Sequence, residues 1–530
     1  MGALTLKSFP FELRGWDLDR FDSLDPTDSF GSQTRIYINK DQIVQIEPDY
    51  DSLTYNTWLS DKGRQFFDSI FNTWQNKTGQ SQIAMFKSLI LTIYLFEHCN
   101  QFLKRTNFLT FVFENLSIEV LSLLIILSQN YSFIKVKKAE SANVDNDLES
   151  NFQVNSVTDH VKINNSSLSL LISTNSRYEG YYLNLLLRQR FLKGGFKCLV
   201  AGSNLNLTFP TTFLGSNLKI LKNIAEGNNL TCQDFKNAQN PNIILNTELL
   251  KRNDKLTILE LVKTLNSNCS STNQLNINVL NASLSETGTN LINKFECISS
   301  KELNSLSSIY FLNISSNNLS NLKKIAITKL LNYTLQRNHQ PNKINTIMID
   351  QNSLVDNNLE YFKKNLNTKS INYSYVPTSM FYENDSTFIN TQGIIKKTRK
   401  IIFRKKTKNN WQILRKFLVL LKKNAICLNK KDNNILFFNS KKLFDFKNFI
   451  NFQYLTTKSL TNLNFYLSIK NKPVQLNPTN FKNKLLKLNS TKTKYWLDDF
   501  FHGGKDEYSQ NSLILANCSS YLRTESNNFF

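Results

Sequence analysis

The sequence predicts an α/β protein, with a small β-rich N-terminal lobe followed by two doubly wound α/β units. Three observations predict it. Residues 32–48 alternate apolar and polar side chains on either side of a turn, which is a hairpin pattern. From residue 76 short apolar runs alternate with amphipathic stretches, and that alternation calls for a parallel sheet with helices on its faces. A second α/β series then runs from 236 to 425.

The lobe spans residues 1–75. Thr34–Ile38 and Ile43–Ile46 read as paired strands around a turn at Asn39–Asp41, closed by Pro48. Phe66, Phe67, Ile70, Phe71 and Trp74 recur at helical spacing, so a helix is expected over Leu59–Trp74. Residues 76–235 make the first α/β unit. There Met85–Cys99, Ser117–Leu127 and Tyr181–Phe191 read as helices, and Leu109–Phe113, Phe133–Val136, Leu168–Ser173 and Phe196–Ala201 as strands. Asn175–Glu179 reads as a polar loop beyond a strand's carboxyl end, where open parallel sheets bind their ligands. Residues 236–425 make the second unit, with strands at Asn242–Leu245, Ile309–Leu312 and Thr346–Ile349. Its helices are Lys255–Ser267 and Trp411–Leu421. Residues 426–530 read as a divergent Asn/Lys/Phe-rich extension, with 470–530 expected to be partly disordered or wrapped on a partner.

Composition narrows the function classes. A hydrophobic share of 41% over 530 residues supports real cores and argues against bulk disorder. The net charge of +23 would suit a nucleic-acid or anionic surface. However, the lysine runs at 396–408 and 422–431 form no recognition motif. The Asn, Lys, Phe and Ile bias is what AT-rich coding produces, as in organelles, so no nucleic-acid partner is expected. The seven cysteines lie at least 28 positions apart with no CxxC, which indicates neither a disulfide framework nor a local metal site. The longest apolar runs, Leu89–Phe96 and Leu121–Leu127, fall short of the ~20 residues a spanning helix needs. No direct membrane span is expected. His98, His160, His339 and His502 have no histidine three or four residues away, and the paired glycines lack a phosphate-cradling motif. No catalytic residue is expected.

Four oxygen-bearing residues of the lobe form a spaced set: Asp25-x₂-Asp28-x₃-Ser32-x₂₇-Ser60. Gly31 precedes the third position, and Lys62-Gly63-Arg64 follows the fourth. The frame resembles the C-x₂-C-x₃-C and distant Cys-x-Lys-Gly-Arg of molybdopterin-type oxidoreductases. Iron–sulfur clusters require thiolates, and hard oxygen donors would favour magnesium or calcium, if any metal. Asp25, Asp28, Ser32 and Ser60 are therefore read as degenerate former cluster positions that hold no metal.

Four stretches resemble one family in the order it would have them. Pro10–Arg14 with Ser29–Ser32 and Trp58–Lys62 is similar to the start of the second half of the largest iron–sulfur subunit of respiratory complex I. Thr174–Glu179 resembles that family's Thr-Asn-Pro-Arg-Phe-Glu loop. Leu207–Pro210 with Phe213–Ser216, and Thr387–Gly393 ahead of Trp411, resemble its later phrases. The resemblance implies a molybdopterin-oxidoreductase-like α/β fold that has lost its catalytic cofactor. It also implies a redox-inert role in the matrix arm of mitochondrial NADH:ubiquinone oxidoreductase, at the inner membrane. No cofactor is expected on this chain, as in the mitochondrial members that lack the extra cluster.

The family's Cys-rich, ferredoxin-like half does not match anything here. The implied partners are that half as a separate polypeptide from a split gene, and the other matrix-arm subunits. Relatives that hold molybdenum take a ligand after the first α/β unit, where Asp147 and Ser150 stand as formal candidates. Gly393-Ile394 replaces a frequent Gly-Arg, which removes an anion contact. The alternatives are an active molybdopterin enzyme fragment and a basic organellar nucleic-acid-binding protein.

Overall fold

The computed structural model describes residues 13–40, 42–49, 58–69, 109–131, 134–139, 163–202, 204, 206–250, 252, 254–268, 276–281, 283–292, 295–298, 308–314, 345–350, 371–376, 378–402, 407–429 and 512–518. The chain forms two compact units, residues 1–417 with 487–530, and residues 418–486. The strands described here all belong to the first unit.

The lobe is a three-stranded antiparallel sheet in the order β1 (Asp19–Leu24), β2 (Gln33–Asn39), β3 (Gln42–Pro48). The alternation over 33–48 works as expected: Ile36, Ile38, Ile43 and Ile46 are buried on one face. Strand β1 escapes the alternation rule because its first four residues are exposed at an edge, so Asp-Arg-Phe-Asp carries no apolar period. Helix α1 (Asp61–Gln65) follows, and residues 67–69 are again helical. The remainder of the expected helix to Trp74, and the Met85–Cys99 helix, lie outside the described residues.

Two parallel sheets come next. In chain order the elements are β4 (Leu109–Phe113), α2 (Ile118–Asn130), β5 (Ile134–Lys138), β6 (Leu168–Ile172), α3 (Ser176–Glu179), α4 (Tyr181–Leu192), β7 (Lys197–Ala201) and β8 (Thr212–Gly215). Beyond them lie α5 (Lys219–Ala225), α6 (Thr231–Asn237), β9 (Asn242–Asn246), α7 (Thr247–Leu250), α8 (Lys255–Asn268), β10 (Asn276–Leu280), α9 (Glu286–Ile292) and β11 (Glu296–Cys297). Last are β12 (Ser308–Leu312), β13 (Asn345–Asp350), β14 (Ile371–Val376), the antiparallel pair β15 (Thr387–Ile389) and β16 (Ile395–Lys397), and α10 (Asn410–Asn429).

Strand order departs from the sequential division at residue 235. One sheet runs β10-β9-β6-β7-β8, and the other β11-β5-β4-β12-β13-β14. The first is therefore nested in sequence inside the second: β4 pairs with β12 in parallel register, Leu109 opposite Ser308. Local periodicity marks strands but carries no instruction for which distant strand each will join.

The five-stranded sheet shows double winding directly. Leu170, Ile172, Leu199, Ile243 and Leu245 face a layer built from Leu221, Ile224, Leu249, Ile258 and Val262. Leu171, Val200, Ile244 and Leu280 face Leu183, Leu186 and Leu187 of α4. Strands covered on both sides read as continuous apolar runs, which is why Leu168–Ile172 is legible in the sequence.

Two further departures concern the ends of elements. Ser176–Glu179 is a short helix and not a loop, its Glu179 N–H donating to Asn175 O. In the C-terminal extension, residues 513–518 form a helix that packs on this chain's own lobe.

Candidate functional site

The four spaced lobe residues come together. Strand β1 delivers Asp25, whose N–H donates to Ser32 O at 2.9 Å and closes the loop. Asp25 Oδ1 accepts from Thr27 N at 2.8 Å and Thr27 Oγ1 at 2.7 Å, a side-chain-built turn. Asp28 Oδ1 accepts from Phe30 N at 3.3 Å, and its Oδ2 accepts from Ser32 Oγ at 2.5 Å. Gly31 holds a left-handed backbone at φ +58, and a β-carbon there would meet Leu284 at 2.7 Å. Ser60 caps α1, its Oγ accepting from Gly63 N at 2.9 Å. That cap brings Gly63 onto Asp25, so Ser60 joins the other three.

All four residues are buried. Burial, together with the charge of Asp28, pushes the Asp25 carboxyl up to about 7, against the pull of the Thr27 hydrogen bonds and Lys62. Burial also raises Asp28, opposed by hydrogen bonds from Ser32 and Phe30 and by Lys396. Lys396 is pushed down to about 8 by its own burial, with Asp28 opposing.

These residues do not fit an iron–sulfur cluster. Four oxygens stand where thiolates are needed. Hydrogen bonds occupy Asp28 and Ser60, and Gly63 takes up the space against Asp25 Oδ2. Among the described residues no group of three or more His, Cys, Asp or Glu is placed to hold a metal ion.

The sheets offer two further places for a ligand, because open parallel sheets bind at the point where strand order reverses. In the five-stranded sheet that point lies between β6 and β9. Side chains of the protein bridge it. Thr174 Oγ1 donates to Ile244 O at 3.2 Å, and Asn246 Nδ2 donates to the Glu179 carboxylate at 2.8 and 2.9 Å. In the six-stranded sheet the reversal lies between β4 and β12. There Asn313 Nδ2 donates to Asn115 O at 2.9 Å, while Ser283 Oγ and Ser285 Oγ donate to Asn115 Oδ1 at 3.1 and 2.9 Å. Ser173, which follows β6, and Asn115 and Asn313, which follow β4 and β12, have φ of 53, 45 and 50, so strand ends at both reversals turn through the left-handed region.

Helix α2 starts at the second reversal, and a helix N-terminus there would suit a phosphate. Its first turn instead holds the chain's own carboxylate. Glu119 Oε1 accepts from Thr387 N at 2.9 Å and from Thr387 Oγ1, and burial raises the Glu119 pKa.

The quartet loop ties these places together. Ser29 Oγ donates to Glu179 O at 2.8 Å. Thr391 N and Thr391 Oγ1 both donate to Ser29 O at 3.1 Å, and Asn390 Nδ2 donates to Phe30 O at 3.2 Å. Phe30 is fully buried, edge-on to Tyr182 at 5.7 Å. The Thr-Asn-Ser-Arg-Tyr-Glu phrase and the Asn-Thr-Gln-Gly phrase thus clamp the loop between them. Gly393-Ile394 forms the turn of the β15–β16 hairpin, with Ile394 exposed. Asp147 and Ser150 lie outside the described residues.

Sequence reasoning missed the Glu179–Asn246, Asn115–Asn313 and Glu119–Thr387 pairs. Their partners are 67, 198 and 268 positions apart, and no local pattern announces them.

Molybdopterin oxidoreductase is the family whose profile matches residues 109–419, more than half of the chain. The chain belongs to the molybdopterin oxidoreductase family. It is 30% identical over 307 residues to the NADH-ubiquinone oxidoreductase 75 kDa subunit of Reclinomonas americana, covering 54% of this chain and 44% of that protein. With the 75 kDa subunit of Acanthamoeba castellanii the identity is 26% over 436 residues, covering 78% and 57%. It is 25% identical over 281 residues to the mitochondrial NADH-ubiquinone oxidoreductase 78 kDa subunit of Candida albicans, covering 49% and 37%. The chain thus spans about half the length of these relatives. The region matched by the molybdopterin oxidoreductase family contains both parallel sheets and both bridged reversal points.

Proposed function

We propose that this chain is a structural component of NADH:ubiquinone oxidoreductase, in the matrix-side peripheral arm of the mitochondrial enzyme. It bears no redox cofactor and has no catalytic site of its own. It braces a separate, ferredoxin-like polypeptide that carries the clusters, together with neighbouring subunits of the arm. Electrons pass through those neighbours. The relatives' names support membership of such an enzyme. Among the described residues no helix is long and apolar enough to cross a membrane, which suits a peripheral place.

One observation carries the redox-inert reading. Both strand-order reversals are spanned by the chain's own side chains, through Glu179–Asn246 and Asn115–Asn313. A ligand would have to break these bonds to enter, and at the buried Glu179–Asn246 pair each polar group left unsatisfied would cost about 1–3 kcal/mol. A fold outlives its site because packing and not chemistry maintains it.

Affinity purification of the tagged chain under mild conditions tests the proposal. Mass spectrometry should recover a Cys-rich ferredoxin-like protein with flavin- and quinone-side subunits. Elemental analysis of the chain separated from them should find neither iron nor molybdenum in stoichiometric amount. A solitary chain carrying either metal would overturn the reading.

A further inference from the structure

The core of the β-lobe is completed from the far end of the chain. Ile36, Ile46, Phe66, Phe67 and Tyr382 form an apolar cluster, and the side chain that closes it is Leu515, only 1% exposed. Leu515 arrives on a helix of six residues, 513–518. Asp68 Oδ2 accepts from Ile514 N at 3.0 Å, and the charge of Asp61 acts on Cys518. Ser512 is buried at its start, with Oγ accepting from Leu515 N at 3.1 Å and its carbonyl accepting from Ala516 N at 3.1 Å. The opposite face, Leu513 and Asn517, is exposed.

We propose that this socket is a helix-binding site, and that residues 512–518 are its ligand, supplied in cis as a detachable strap. A six-residue helix is unstable in water, since isolated helices below ~12–15 residues are marginal. It is folded here because the socket receives Leu515 and Asp68 takes a free N–H of its first turn. Binding and helix formation are one event, so release of the strap unfolds it and opens the lobe's core together. The walls it would expose lead to the buried quartet, because Phe66 lies on the segment that Ser60 opens and Tyr382 donates to Leu24 O, next to Asp25. The strap thereby keeps water from Asp25.

Amide hydrogen exchange tests the proposal on the full chain and on a chain ending at Gln510. In the shortened chain, protection over 33–48 and 61–69 should fall at least about thirtyfold, because shortening removes at least what loss of the Leu515 side chain removes. Strands β6 and β9 should keep theirs and so report that the rest is folded. A synthetic peptide of residues 508–520 should restore lobe protection, and the same peptide with Leu515→Asp should not. Unchanged lobe protection after shortening, or failure of the wild-type peptide to restore it, would overturn the proposal. Should the shortened chain not fold, Leu515→Ala in the full chain decides. Loss of that core side chain should raise lobe opening by at least about thirtyfold, and no change would overturn the strap.

Discussion

Asp25 and Gly63 are in contact: a β-carbon on Gly63 would lie 2.0 Å from Asp25 Oδ2. That oxygen is buried and has no hydrogen-bond partner among the described residues. The glycine is thus a spatial requirement imposed by a carboxylate 38 positions away in sequence. Gly63→Ala should destabilise the lobe by about 1–3 kcal/mol, the usual cost of overpacking. Urea unfolding followed by a lobe-specific probe would measure it, and Asp25→Ala in the same chain should restore part of the loss.

The pH dependence of stability should have a minimum near neutrality. Asp25 titrates at about 7 in the folded chain against 3.8 ordinarily. Between those values only the folded state keeps the proton, so stability falls as pH rises from about 4 to about 7. Lys396 acts in the opposite sense. It titrates at about 8 against 10.5, so between those values only the unfolded state keeps its proton and stability recovers. Thermal melts from pH 4 to 10 should trace this shape. Asp25→Asn should flatten the acid limb, and Lys396→Met the alkaline one.

The bridge between Glu179 and Asn246 should be structural. Glu179→Ala leaves the Asn246 amide and the Asn175 N–H, which donates to Glu179 Oε2 at 3.0 Å, without their acceptor. A loss of about 2–4 kcal/mol is expected for such buried groups. Denaturant titration gives the value, and a loss below about 0.5 kcal/mol would mean that water replaces the carboxylate without cost.

Phe30 joins the lobe to the first sheet. Phe30→Ala should cost about 3–5 kcal/mol, as for other aromatic side chains removed from a core. Because Phe30 packs on Tyr182 and its carbonyl accepts from Asn390, the loss should appear as earlier unfolding of both regions in hydrogen exchange.

The helix N-terminus of α2 should accept no anion while Glu119 fills it. Glu119→Gln removes the charge and keeps the shape, and should lower stability by about 1–2 kcal/mol through the weakened bonds to Thr387. Calorimetry with inorganic phosphate should show no binding to the wild-type chain.

Much of this fold is legible from residue order. Strands such as β4 and β6 are short, mostly apolar runs because they are buried along their whole length, and the β2–β3 hairpin alternates because one face is covered. Strand β1 is illegible because an exposed edge imposes no apolar period. The short helix α3 is hidden in Ser-Arg-Tyr-Glu, where four residues offer too little periodicity to read.

By itself the sequence determined the class of the chain and the spacing of the oxygen-bearing residues Asp25, Asp28, Ser32 and Ser60. Those are properties of residue type and spacing, which folding does not alter. The tertiary structure alone decided that one sheet nests inside the other, that Glu179 meets Asn246, and that Leu515 closes the lobe 479 positions from Ile36. Each is a contact between segments distant along the chain, and the energy that selects it appears only when the intervening elements have packed.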